Sequence, residues 1–312
     1  MLTQVRGVRS VEIELADPIR AAEFYTRIWQ LTEVERVGDS VYLRGTGRYH
    51  HILAIHKARI GPAVRRVVYD AAGKDCVDRL HRQVRAIAPE CEDPAELRRP
   101  GGGYGFGFTD PHGAGFAIVS GVADYADATR EADRPIKIAH VNLNSPDIQR
   151  TADFLTDSLG FRLIDETAVL WFFHCDNSDH NSIVLCRSSQ LTLNHVAFEM
   201  PDLDSVMRGA GRMRDHGYPI EWGVGRHGAG NNVFAYFAGP EEFPLEYTGE
   251  VQQVDETYIP HGPDYWRWPP GRADQWGVTN PHTARWKRIQ DLYSFVPNAF
   301  SLDAKPQLHE GQ

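Results

Sequence analysis

The feature that most constrains this chain is an internal duplication. Residues 10–31, SVEIELADPIRAAEFYTRIWQL, align without a gap on residues 140–161, HVNLNSPDIQRTADFLTDSLGF, at an offset of 130. Val11 meets Val141, Asp17 meets Asp147, Arg20 meets Arg150 and Phe24 meets Phe154. Such a repeat decides the architecture before any local reading does. Each copy opens on a strand-like alternation and breaks at an aspartate beside a proline. In the first copy Asp17 reads as an N-cap with Pro18 at the first helical position. Ala22, Phe24, Tyr25, Ile28 and Trp29 then form a helical apolar face. Strand patterns over Ser40–Leu43 and Tyr49–Ile55 complete a β-α-β-β unit, with room for one more strand.

A weaker copy begins near Arg66, where RVVYDAAGKDCVDRLHRQV resembles HVAFEMPDLDSVMRGAGRM from His195. Four similar units therefore start near residues 8, 64, 138 and 193. They pair into an N-terminal domain (1–122) and a C-terminal domain (136–250), joined by an Asp-rich linker (123–135). Residues 251–312 follow, rich in Pro and Trp, as in DYWRWPPGRADQWG. That composition rules out a central strand and predicts a covering arm docked on the C-terminal domain, ending in a frayed tail.

The duplication also supplies a control. His140, His195 and Glu246 each sit in an apolar β-type run, where ionisable groups are uncommon unless something satisfies them. The matching N-terminal positions carry Ser10, Arg66 and approximately Ala117. A lone strand histidine is as readily a hydrogen-bonded core residue as a ligand. Three such residues absent together from the duplicate argue for one site. Two imidazoles and a carboxylate leave coordination positions open and suit a non-haem Fe(II) oxygenase. Asn142 shares a strand face with His140, which suits either a site contact or ordinary backbone pairing.

A net charge of −9 argues against nucleic-acid binding. No apolar run approaches the ~20 residues of a membrane span, and the first residues lack a signal-peptide core. The four cysteines show neither C-x-x-C spacing nor a disulfide framework. A cytoplasmic protein is expected.

The order His140, His195, Glu246 within four units closely resembles the type I extradiol ring-cleavage dioxygenases of the vicinal-oxygen-chelate superfamily, over roughly residues 8–250. The resemblance implies an α+β fold: four βαβββ modules in two tandem domains, with the metal in the C-terminal one. It implies Fe(II) as cofactor, Mn(II) as the minority case, a catecholic substrate with O2, and assembly as a homo-oligomer. His180 takes the place of the family's acid–base histidine, with His174 its local rival. His227 and Tyr236 match the residues that flank the diol, in the spacing His227-x8-Tyr236-x9-Glu246. Trp171 and Phe172 are candidate pocket walls, or else core aromatics. Gly239, Glu242 and Ala235 depart from the family signature in the turn before Glu246. Other functions on this scaffold are a keto-acid oxygenase, a glyoxalase-like isomerase, whose relatives generally add a second carboxylate ligand, and a non-catalytic binding protein.

Overall fold

A computed structural model describes residues 5–302. The first module contains β1 (Val5–Leu15), α1 (Pro18–Arg27), β2 (Thr32–Val37), β3 (Ser40–Arg44) and β4 (Leu53–Lys57). The second contains β5 (Ala63–Ala71), α2 (Lys74–Arg85), β6 (Ala95–Glu96), β7 (Tyr104–Thr109) and β8 (Gly115–Ser120). The third runs through β9 (Ile138–Ser145), α3 (Ile148–Leu159), β10 (Arg162–Glu166), β11 (Leu170–His174) and β12 (Ile183–Arg187). The fourth comprises β13 (Thr192–Met200), α4 (Leu203–Asp215), β14 (Trp222–Arg226), β15 (Val233–Ala238) and β16 (Pro244–Gly249). Each is a βαβββ module, so the fold is α+β with four repeats.

The repeats fold alike because their punctuation is alike. Asp17 accepts the backbone N–H of Arg20, and Asp147 that of Arg150, which caps α1 and α3 in the same way. Two local expectations shift. Helix α1 ends at Arg27, so Ile28 and Trp29 lie beyond it. Tyr49 forms only an isolated bridge to Asp124, and β4 begins at Leu53.

The two sheets have the same strand order, β2-β3-β4-β1-β5-β8-β7-β6 and β10-β11-β12-β9-β13-β16-β15-β14. Within a module the first and last strands pair in parallel. Modules join antiparallel through their first strands. This places β9, β13 and β16 side by side. The main apolar cluster among the described residues runs through both sheets, with modules one and four, and two and three, in contact. Trp29 stacks on Tyr247 at 3.7 Å between ring centroids, and Phe108 meets Phe154 at 6.1 Å.

Residues after 250 lie against the second sheet. The Tyr258 hydroxyl donates to Asp165 at 2.9 Å, and helix α5 (Ala284–Ile289) packs Trp286 against Tyr236. The chain then returns to the first sheet. A two-residue strand, β17 (Tyr293–Ser294), pairs with β13, after which the Val296 N–H donates to the Val64 carbonyl at 2.8 Å. The arm thus spans both sheets instead of only the second. Residues 303–312 of the expected frayed tail lie outside the described residues. Among those described, no helix is long and apolar enough to cross a membrane.

Candidate metal centre

Strand register builds the site from two neighbouring rows on one sheet face. One row is His140, Ala197, Glu246, Tyr236 and Trp222, each paired with the next across the sheet. The adjacent row is Phe172, Val184, Asn142 and His195. The ligating atoms of His140, His195 and Glu246 all lie within 4.8 Å of one another. Glu246 Oε2 is 3.0 Å from His195 Nε2 and 3.4 Å from His140 Nε2. His195 Nε2 and Glu246 Oε2 are nevertheless buried without an aligned hydrogen-bond partner. Buried polar atoms are seldom left so. Two imidazole nitrogens and a carboxylate oxygen facing one point have the donor chemistry of a divalent first-row metal.

Side chains behind the site fix it. His195 Nδ1 is 2.8 Å from Asn194 Oδ1, which also accepts from Gln290. Because that oxygen can only accept, Nδ1 carries the hydrogen and Nε2 offers its lone pair. Asn232 donates to Glu246 Oε1 at 3.4 Å and to Thr248 at 2.7 Å. Burial alone would raise the Glu246 carboxyl, but the two imidazoles outweigh it and hold the group far below the usual range. Burial, against the pull of Glu246, lowers the His195 imidazole. Glu246 is therefore a carboxylate and His195 a neutral imidazole at neutral pH, the forms in which each can ligate.

His227 and Tyr236 come together beside this trio. His227 Nε2 is 2.8 Å from the Tyr236 hydroxyl and 4.0 Å from Glu246 Oε1. Burial pushes the His227 imidazole down to about 4. Burial and then Glu246 push the Tyr236 phenol up, so it stays a hydroxyl. Trp222 stacks on Tyr236, and Trp286 from the arm covers it. A Cβ on Gly228, next to His227, would lie 2.9 Å from Trp268 and 3.0 Å from Trp266, so the arm seats directly on that loop. Asn142 Oδ1 is buried and unpartnered on the site face.

Register and burial place the remaining candidates. Trp171 pairs with Leu185, in a row continued by Leu143 and Leu193, and packs on the hydrophobic core. Successive strand residues face opposite ways, so only Phe172 reaches the site face. His180, the candidate acid–base residue, is 0% exposed, and each ring nitrogen has a polar partner. Nε2 lies 2.8 Å from Asp165 Oδ2, and Nδ1 lies 3.0 Å from Asn181 Oδ1. Its rival His174 is held by the Asp179 carbonyl at 2.8 Å. Asp165, Asn181, Asn194 and Asn232 carry no local sequence signature, and sequence reasoning missed them.

The first sheet repeats the register with different chemistry. Ser10, Val68 and Ala117 occupy the row of His140, Ala197 and Glu246, and Arg66 pairs with Glu12 where His195 pairs with Asn142. A buried ion network fills that space, with Arg66 and Arg99 on Glu12 and His56 3.3 Å from the same carboxylate.

Comparison with known proteins agrees with this geometry. Residues 137–247 match the Glyoxalase/Bleomycin resistance protein/Dioxygenase superfamily. The Mn(II)-bound glyoxalase from Novosphingobium aromaticivorans superposes with a TM-score of 0.82 at 35% identity, covering 91% of this chain and 94% of that one. Metapyrocatechase 2 of Cupriavidus necator is 36% identical over 155 residues, 47% of this chain and 46% of its own length. That match thus spans about half of the relative. The manganese-dependent 2,3-dihydroxybiphenyl 1,2-dioxygenase of Geobacillus genomosp. 3 is 24% identical over 245 residues, 70% of this chain and 76% of that protein. The chain belongs to the Glyoxalase/Bleomycin resistance protein/Dioxygenase superfamily, the vicinal-oxygen-chelate fold.

Proposed function

We propose that the protein is an extradiol dioxygenase, which opens a catecholic ring with both atoms of O2 at a divalent metal held by His140, His195 and Glu246. The observation that carries this reading is the convergence of His195 Nε2 and Glu246 Oε2, buried and unpartnered, with His140 Nε2 3.4 Å from the carboxylate. Fe(II) is the first expectation. Two relatives named for manganese make Mn(II) its competitor. Once bound, the metal favours ionisation of a diol hydroxyl and gives O2 a route for electron transfer. The chain's own residues orient the reactants. Tyr236 offers its hydroxyl to a diol oxygen, and His227, kept neutral by burial, contacts substrate beside it. Phe172 walls the ring from the β11 side, and Asn142 Oδ1 offers an acceptor on the same face.

A glyoxalase-like isomerase is the second reading, favoured by the Mn(II)-bound relative. Against it, the metal-ligating cluster among the described residues holds one carboxylate. The test is anaerobic loading with Fe(II) or Mn(II), followed by catechols in air and, separately, the hemithioacetal of methylglyoxal and glutathione. A coloured ring-fission product with matched O2 uptake is the expected result. Thioester formation without O2 uptake would overturn the dioxygenase reading.

A further inference from the structure

The pairing of β13 with β9 steps from Leu193–Leu143 to His195–Asn142, which leaves Asn194 as the extra residue of a bulge. Bulges re-aim side chains, and this one sets the Asn194 amide beside the His195 ring, with Oδ1 2.8 Å from Nδ1. A primary amide has one accepting end and one donating end. Turning it over would reverse what His195 meets. The group that fixes its sense is Asn144.

Asn144, 2% exposed on β9, directs its Nδ2 at three oxygens. They are the Gln290 carbonyl at 2.8 Å, an Asp291 carboxylate oxygen at 3.0 Å and Thr192 Oγ1 at 2.8 Å. A carbonyl and a carboxylate only accept, so the NH2 end of Asn144 is the end that faces them. Its Oδ1 then points the other way and accepts from Asn194 Nδ2 at 3.0 Å. That leaves Asn194 Oδ1 to accept from His195 Nδ1 and from Gln290 Nε2. Polarity thus runs in one sense, from two acceptors of the arm through two amides to the imidazole.

This order opposes a competing form of the ring. His195 Nε2 stands 3.0 Å from Glu246 Oε2. A neutral ring with its hydrogen on Nε2 could donate to that carboxylate, and would then have no lone pair to offer a metal there. The same form would turn an Nδ1 lone pair toward the Asn194 oxygen, which the two amides make unfavourable. We infer that Asn144 is a positioning residue which, anchored by the arm at Gln290 and Asp291, selects the His195 tautomer able to receive a metal. This rests on the metal reading of the trio and not on the reaction proposed for it.

The test follows the His195 ring nitrogens by 15N NMR in the metal-free protein at neutral pH, their signals assigned by loss in His195→Gln. Wild type should carry the hydrogen on Nδ1. Asn144→Ala frees the Asn194 amide to turn over, and should move part of the hydrogen to Nε2. Competition for Mn(II) against a chromophoric chelator should then show about 10–100-fold weaker binding, the usual effect of losing outer support of a ligand. Adding Asn194→Asp to Asn144→Ala should restore the Nδ1 hydrogen and most of the affinity, because a carboxylate accepts whichever way it turns. A packing role for Asn144 would not be rescued from position 194. Asp291→Ala, at an exposed position, leaves the core intact and should shift both readouts in the direction of Asn144→Ala. An Nδ1 hydrogen and wild-type affinity in both Asn144→Ala and Asp291→Ala would overturn the inference, as would a wild-type ring with its hydrogen on Nε2. If wild type takes up no Mn(II) or Fe(II), the metal reading fails, and the tautomer comparison still decides what Asn144 does to the ring.

Discussion

At the scale of single residues, the site depends on side chains whose work is to orient others. Asn194 fixes which nitrogen of His195 is free, and Gln290 from the arm holds Asn194. Asn194→Ala should therefore lower metal affinity by about 10–100-fold, as loss of such support typically does. Competition against a chromophoric chelator measures this, and activity should recover in excess metal. Unchanged affinity would mean that packing alone orients the ring. The candidate ligands themselves were legible because the duplicated half lacks them. Their supports were not, since Asn194 and Gln290 are 96 positions apart and Asn232 and Glu246 are 14 apart. Of the two readings open for Trp171, pocket wall or core aromatic, the strand register favours the second. Neighbouring strand residues cannot both wall one pocket, and the pairing with Leu185 turns Trp171 to the core.

At the scale of elements, the strand order was legible through the repeat, whereas the path of the arm was not. No periodicity announces that residues after 290 return to the first sheet. The buried network of that sheet makes a pH prediction. Burial and then Arg99 hold the His51 imidazole well below its ordinary value, and burial lowers that of His56. Below about pH 6.5 the unfolded chain takes up protons that these folded imidazoles refuse. Their contribution is whole above that pH and is lost as pH falls toward the folded values. Glu12 acts in a lower window. Burial would raise its carboxyl, but Arg66, Arg99 and His56 hold it well below the usual range. Its contribution persists down to about pH 4.3 and declines only as pH falls through the depressed folded value. Urea midpoints of the metal-free protein should thus fall between pH 7 and 5, and His51→Gln should make that slope shallower. An unchanged slope would remove His51 from the account.

At the scale of the whole molecule, the halves that arose as copies share one interior. Trp29, just past α1 in the first domain, stacks on Tyr247 at 3.7 Å and meets Phe198 and Phe237 edge-on at 5.5 and 6.0 Å. Tyr247 follows Glu246 in β16 and points to the other face, so the carboxylate rests on a strand buttressed by the N-terminal domain. Separating the halves would uncover these aromatics, whose burial dominates core energetics. Unfolding should therefore be one cooperative transition, although the candidate metal ligands all lie in one sheet. A metal that binds only the folded state should raise that single transition as a whole. Trp29→Ala should cost about 3–5 kcal/mol, the usual range for removing a large buried aromatic. It should lower the transition midpoint with and without metal, and loosen metal binding through β16. Calorimetry of wild type and variant, each with and without metal, provides the check. Two transitions in wild type, only one of them moved by metal, would mean that the sheets are energetically independent and that the Trp29–Tyr247 stack does not couple them.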